Sequence, residues 1–219
     1  MDAAADTRPI VVGAGVAGLS AALRLSAFGP VRLIAAETLG SGAATGWAQG
    51  GLAAAVGADD SAALHAADTI AAGDGLVQRE PAEAITAAAP DAIAWLDALG
   101  AGFDRDASGA LKLGLEAAHS RRRIVHAGGD STGAAVLAAL VAAVRARPEI
   151  EVSVLRLRRL LIDSQGAVGG LLASDHLGRS VMLRGARVVL ATGGEHDARA
   201  AQHHRSEEHT SELQSHHPI

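Results

Sequence analysis

The run Pro9-Ile10-Val11-Val12, followed at once by Gly13-Ala14-Gly15-Val16-Ala17-Gly18, constrains this chain more than any other feature. A short apolar run that stops at glycine, with glycine again two and five positions on, is the pattern of a buried strand turning sharply into a helix. Each glycine has its own task. Gly13 allows the tight turn, Gly15 lets backbone approach a pyrophosphate, and Gly18 lets the helix lie close on the strand. The helix opening there presents free N–H groups and its positive end to the same place. Leu19 to Ala27 reads as that helix, with Leu19, Leu23 and Leu25 inward. Gly29-Pro30 stops it, and Val31-Arg32-Leu33-Ile34 is a second strand. Glu37 follows 24 residues after Gly13, placed to accept hydrogen bonds from ribose hydroxyls and to disfavour a 2′-phosphate. The spacing therefore predicts two parallel strands joined by a right-handed helical crossover, carrying a dinucleotide site. A packing turn without a ligand is the competing reading of the same residues.

The rest of the chain continues the alternation of helix and strand. A loop rich in glycine, alanine and threonine spans residues 40–57, and a helix follows from about Ser61 to Ala72. A second helical stretch begins near Pro81, a good first-turn residue, and Pro90 is expected to divide it. Asp130-Ser131-Thr132 is expected to cap a helix over Ala134–Ala146, stopped by Pro148. Strand-rich runs then cover Val152–Ile162, Ala167–Ser174, Ser180–Arg184 and Arg187–Leu190, the last leading into Ala191-Thr192-Gly193-Gly194. The expected fold is α/β: a Rossmann-like parallel sheet with an inserted β-meander, to which the final strand returns.

Composition removes several classes of function. The chain has no cysteine, hence no disulfide framework, thiol nucleophile or zinc–thiolate site. A net charge of −5 and only four aromatic residues (Phe28, Trp47, Trp95 and Phe103) argue against a nucleic-acid partner. The longest apolar run, Val136–Val144, is far short of the roughly 20 residues a membrane span needs, and the start MDAAADTRP is not a secretory signal. A soluble cytoplasmic protein is expected. The histidines show no regular ligand spacing, so no metal is expected.

The loop after Glu37 narrows the ligand. In Ala44-Thr45-Gly46-Trp47-Ala48-Gln49-Gly50-Gly51, small residues let backbone run against a flat ligand, and Thr45 and Gln49 offer side-chain hydrogen bonds. Alone, this is equally a flexible glycine loop. Arg121–Arg123 alone is a solvated basic face, and His119 and His126 alone are ordinary structural histidines. Taken together, Gly13–Gly18, Trp47–Gly51, the run Glu116-Ala-Ala-His119-Ser120-Arg121-Arg122-Arg123-Ile-Val-His126, Thr132-Gly133 and Ala191–Gly194 resemble the succinate dehydrogenase/fumarate reductase flavoprotein family, in its L-aspartate oxidase branch. The resemblance covers about residues 8–194. It implies FAD as cofactor, contacted by Gly13 to Gly18, Glu37 and Ala44 to Gly51. Where the respiratory members carry the histidine that attaches FAD covalently, this chain has Ala44, implying a non-covalent flavin. Glu116 is implied to orient the substrate, with His119, Arg123, His126, Thr192 and Gly193 as further residues lining the site.

The implied reaction is oxidation of L-aspartate to iminoaspartate, with electrons passing to O₂ or fumarate. Its product would feed NAD biosynthesis, and quinolinate synthase is a partner by pathway alone. Family catalytic arginines and histidines lie past the equivalent of Gly194, so no catalytic residue is expected here and the chain by itself is expected to be inactive. Two other readings stay open: a fumarate reductase- or succinate dehydrogenase-like flavoprotein, and a non-catalytic dinucleotide-binding module. Beyond Gly194 the periodicity ends, and His196, His203, His204, His209, His216 and His217 crowd the last stretch. Arg205–His216 resembles the translation of a sequencing-library adapter. Residues 1–194 are thus expected to form the N-terminal part of an FAD-binding domain, incomplete at its C-terminus, and 195–219 an unstructured non-native tail.

Overall fold

The computed structural model describes residues 6–194; the expectations for 195–219 lie outside the described residues. In chain order the elements are β1 (Ile10–Val12), α1 (Val16–Ser26), β2 (Val31–Ala35), a 3₁₀ turn (Ala44–Trp47), β3 (Leu52–Ala53), α2 (Ala62–Ala72) and α3 (Arg79–Ala98). They continue with β4 (Leu113–Gly114), β5 (Ile124–Val125), α4 (Thr132–Arg145), β6 (Ile150–Val154), β7 (Arg156–Ile162), β8 (Val168–Ser174), β9 (Ser180–Arg184) and β10 (Val188–Leu190).

Four strands form a parallel sheet in the order β10-β1-β2-β6, with Ile10 level with Arg32 on one side and Val188 on the other. Alternation along the strands sorts the core into two layers. Val11, Val31 and Leu33 face α1 and α4, meeting Leu19, Leu23, Leu137 and Leu140. Ile10, Val12 and Ile34 face the other way, onto Leu171 and Ala173 of β8. Strands β7, β8 and β9 form the antiparallel meander that supplies this second cover. Being covered on both faces is why β1 reads as an unbroken apolar run. The chain visits β2 and β6 on one side of β1 and returns through β10 on the other. The crevice at the carboxyl ends of β1 and β10 is therefore the switch point where such sheets hold ligands.

Several expectations need correction. Helix α1 starts at Val16 rather than Leu19, so Gly18 lies inside it. Pro90 does not divide the second helical stretch: α3 runs unbroken through it for 20 residues. Only one N–H is lost there, and Ala82, Thr86, Ile93 and Leu96 keep one buried stripe across the proline. Ser131 stands at the N-cap of α4 but its side chain makes no capping bond. The Thr132 hydroxyl instead accepts the Ala127 N–H at 3.2 Å, which ties the start of α4 to the preceding loop without capping the helix. The run from Val152 to Ile162 is two strands in different sheets, parted at Leu155, whose N–H donates to Ala35 O at 2.8 Å. A small antiparallel sheet, β3-β5-β4, was not foreseen. Its strands have two residues each, too few for a period-two signal.

Candidate functional site

The glycine turn sits at the carboxyl end of β1. Gly13 has φ +116°, and a Cβ there would lie 2.0 Å from Ala191 O, so both its conformation and the approach of β10 require glycine. A Cβ on Gly18 would stand 1.9 Å from Gly13 O: the first turn of α1 lies directly on the strand end. Gly15 differs. The one atom a Cβ would meet within 4 Å is Thr45 Oγ1 at 3.4 Å, so its outward side is open, as a ligand approaching the backbone needs. Val16 N–H donates to Thr45 Oγ1 at 3.1 Å. Among the described residues the N–H groups of Ala14, Gly15, Ala17 and Gly18 have no protein acceptor, which suits an anion at the positive end of α1. Thr192 and Gly193 follow β10 into the same crevice and are exposed.

Glu37 lies just past the end of β2 with its carboxylate exposed. Gly42 packs against it, since a Cβ there would reach 2.7 Å from Glu37 Oε2, and the Arg156 guanidinium stands 3.6 Å from Oε1. Neither neighbour was foreseen. Ala44 to Trp47 form the 3₁₀ turn, with Ala44 and Trp47 exposed, as are Ala48, Gln49 and Gly50. This turn is locked to α4. Gly133 N–H donates to Ala48 O at 3.0 Å, and a Cβ on Gly133 would come within 2.1 Å of Thr45 O. Gly46 rests on Leu137.

The loop ends where the small sheet begins. A Cβ on Gly51 would lie 3.0 Å from His126 Cε1, and one on Gly114 3.2 Å from His126 Nε2. The imidazole thus fills a slot that two glycines leave open. Glu116 Oε1 stands 3.9 Å from His126 Nε2. Gly51, Glu116 and His126 are therefore neighbours, although 75 residues separate the first from the last.

Arg123 is elsewhere. It is neither a solvated basic residue nor a residue lining an open site, but wholly buried. Its Nε and Nη2 meet Asp60 Oδ2 and Oδ1 at 2.8 and 2.9 Å, and its Nη1 meets Asp68 Oδ2 at 2.8 Å and His119 Nδ1 at 3.4 Å. Asp60 is as buried as Arg123 itself. The helix expected from about Ser61 left Asp60 in the preceding loop, and the polar spacing His65-x-x-Asp68 in an alanine-rich helix was the available signal for this cluster. His65 packs edge-on against His119, with ring centroids 5.6 Å apart, and its buried Nδ1 has no partner among the described residues.

Burial, helped by the charges of Arg123 and His119, pushes the His65 imidazole below its ordinary range. The folded chain therefore keeps His65 neutral while the unfolded chain protonates it near pH 6.5. That contribution to stability is full above about pH 6.5 and is lost as pH falls below it. Urea midpoints should drop between pH 7.5 and 5.5, and H65L should flatten part of that drop. An equal drop in H65L would show that His65 is not its source.

The family described as FAD binding domain matches residues 8–217. The chain belongs to the FAD-binding domain family. Its cofactor is FAD, and the open side of Gly15 and the unpaired N–H groups of the turn fit that group. This FAD-binding chain is 51% identical over 189 residues to the L-aspartate oxidase of Caulobacter vibrioides, covering 85% of this chain and 37% of that protein. It is 48% identical over 185 residues to that of Agrobacterium fabrum, covering 84% and 35%. The chain thus spans little more than a third of the length of these curated relatives. Among solved structures, Mycobacterium smegmatis Sdh1 superposes with a TM-score of 0.81 at 30% identity, covering 86% of this chain and 34% of that one. Escherichia coli quinol fumarate reductase FrdA gives 0.81 at 29% identity, covering 86% and 33%. Among the described residues no helix is long and apolar enough to cross a membrane, and no group of side chains could hold a metal ion.

Proposed function

We propose that this chain forms the flavin-holding part of an L-aspartate oxidase, working in the cytoplasm in the de novo route to NAD. The observation that carries the reading is the place of Glu116, whose carboxylate stands by His126 against the Gly51 end of the 44–51 loop. A carboxylate there suits the ammonium group of an amino acid and offers nothing to succinate, which has none.

In this reading the N–H groups of Ala14, Gly15, Ala17 and Gly18 take the pyrophosphate and Glu37 takes the ribose diol. The backbone of Ala44–Gly51 runs beside the flavin ring, with the Gln49 side chain as a further donor, and Thr192 and Gly193 close the β10 side. When bound, FAD supplies the acceptor for the hydride leaving the substrate. Ala44 ends in a methyl group, with no nucleophile to bond the ring, so the flavin is held non-covalently. Electrons leave to O₂ or fumarate, and quinolinate synthase is the consumer of the imine.

The test uses the FAD-loaded chain. Acid precipitation should release all the flavin into the supernatant; flavin retained in the pellet would overturn non-covalent binding. L-aspartate should perturb the flavin absorbance at concentrations about tenfold lower than succinate, the effect of one charge-assisted hydrogen bond. E116Q should erase that difference. Likeness to the fumarate reductase FrdA favours a second reading, in which succinate and fumarate act at least as well as L-aspartate. Tight FAD binding with no response to any dicarboxylate would instead mark a binding module.

A further inference from the structure

Glu116 rides on a loop that its own contacts would leave loose. Strand β4 ends at Gly114 and β5 begins at Ile124, and Arg123 N–H donates to Gly114 O at 3.0 Å, so residues 115–123 are the closed loop of a hairpin. Its first half is a single turn, in which His119 N–H donates to Glu116 O at 3.3 Å. Ala118, third in that turn, has φ +66°, a left-handed value that a type II turn requires and that alanine resists. Residues 115–118 are exposed.

What holds the loop lies on α2. Asp68 Oδ2 accepts the Ser120 N–H at 2.8 Å, the Ser120 O–H at 2.8 Å and the Arg123 Nη1–H at 2.8 Å. One carboxylate oxygen thus gathers three donors from the second half of the loop. Arg123 carries the tie on to Asp60 through its fork, and to His119 at the end of the strained turn. The Ser120 N–H, followed by its hydroxyl and by Arg123, holds the Asp68 carboxyl below the usual range, so the clamp is charged at neutral pH. Among the described residues, no hydrogen bond of the Asp68 side chain reaches the 44–51 loop.

We propose that Asp68 is a positioning residue for Glu116. Through Ser120 and Arg123 it fixes the 116–123 loop so that the Glu116 carboxylate is preset beside His126 to receive the ammonium group of an amino dicarboxylate. The proposal rests on the amino-acid reading above. Asp68 touches neither cofactor nor substrate, and its effect is confined to the one ligand group that Glu116 reads. A free loop would have to be ordered when substrate binds, and that ordering would weaken binding.

The experiment compares the FAD-loaded 219-residue chain with D68A, D68N and S120A. Flavin spectra give dissociation constants for FAD, L-aspartate and succinate, and mass spectrometry follows amide exchange in 115–122. In D68A the L-aspartate constant should rise about tenfold while those for FAD and succinate stay within about twofold. Exchange across 115–122 should quicken about tenfold as local opening becomes easier, beyond what any fall in the urea midpoint accounts for. D68N keeps an acceptor oxygen and should bring L-aspartate binding back to within about threefold of wild type. S120A, which deletes a single bond, should show the same pattern more weakly and serves if D68A does not fold. A purely structural role would weaken all three ligands together, and that result, or unchanged L-aspartate binding with a loosened loop, overturns the proposal. A wild-type chain that takes up FAD and ignores L-aspartate overturns the amino-acid reading; unchanged exchange in D68A overturns the clamp on its own account.

Discussion

Replacing Arg123 with methionine should cost the fold about 3–5 kcal/mol, because it strands a carboxylate that has no route to water. The Asp60 side chain is fully buried and meets the guanidinium through two parallel bonds of 2.8 and 2.9 Å. Methionine fills similar volume but leaves the buried Asp60 carboxyl without its two guanidinium donors. Against the 5–15 kcal/mol that typically separates folded from unfolded domains, the loss is a large fraction. Urea denaturation followed by circular dichroism measures it. R123K should fall between, since an ammonium keeps the charge and loses the fork. R123M combined with D60N should recover part of the loss, because the amide is neutral. An R123M midpoint within about 0.5 kcal/mol of wild type, the scale of ordinary surface substitutions, would show that the buried network is not holding the fold.

Alanine at Gly18 and at Gly15 should give opposite results, although the two glycines are three residues apart in one turn. At Gly18 the new methyl would lie 1.9 Å from Gly13 O, and backbone cannot yield as a side chain can. Helix α1 must lift from the strand, at an expected cost of about 1–3 kcal/mol, and the turn loses its shape for FAD as well. At Gly15 the methyl meets a hydroxyl at 3.4 Å and otherwise open space. The melting temperature of G15A should stay near wild type while FAD affinity falls by about tenfold or more, since the methyl occupies ground a ligand needs. Thermal melts and flavin fluorescence titrations on the two variants separate the roles. Loss of FAD affinity without loss of stability in G18A would reverse the assignment.

Three strands of the parallel sheet, β1, β2 and β10, were legible because each carries a local signal, while β6 ran on into β7 with only Leu155 between them. The β1–α1–β2 unit lies within 26 residues, and its glycines, its apolar runs and the Gly29-Pro30 stop are all sequence-adjacent. The meander was legible for the same reason, through turns at Asp163–Gly166 and His176–Gly178 between apolar strands. The buried cluster was not. Arg121, Arg122 and Arg123 look alike in sequence, and only the meeting of β5 with α2 decides that the third turns inward while Arg122 stays exposed. Asp60 and Asp68 sit 63 and 55 residues from their partner, and no periodicity links them. Arg156 at Glu37 was missed likewise, because the ends of β2 and β6 become neighbours only in the folded sheet. Pro90 shows the reverse error, where a strong local signal yields to packing on either side of it.

The position of β10 has a consequence for how the molecule is made. Gly13 leaves the ribosome well before the carbonyl it packs against, which belongs to Ala191, 178 residues later. At about 5–20 residues per second, that interval is roughly 10–40 s of translation. During it β1 has β2 beside it and an open flank where β10 will pair. The β10 side of the crevice at the switch point forms only when that strand arrives, so flavin capture waits on its synthesis. Cofactor supply can then act as a proofreading step: only a chain that has placed β10 correctly gains the extra stability that bound ligand confers.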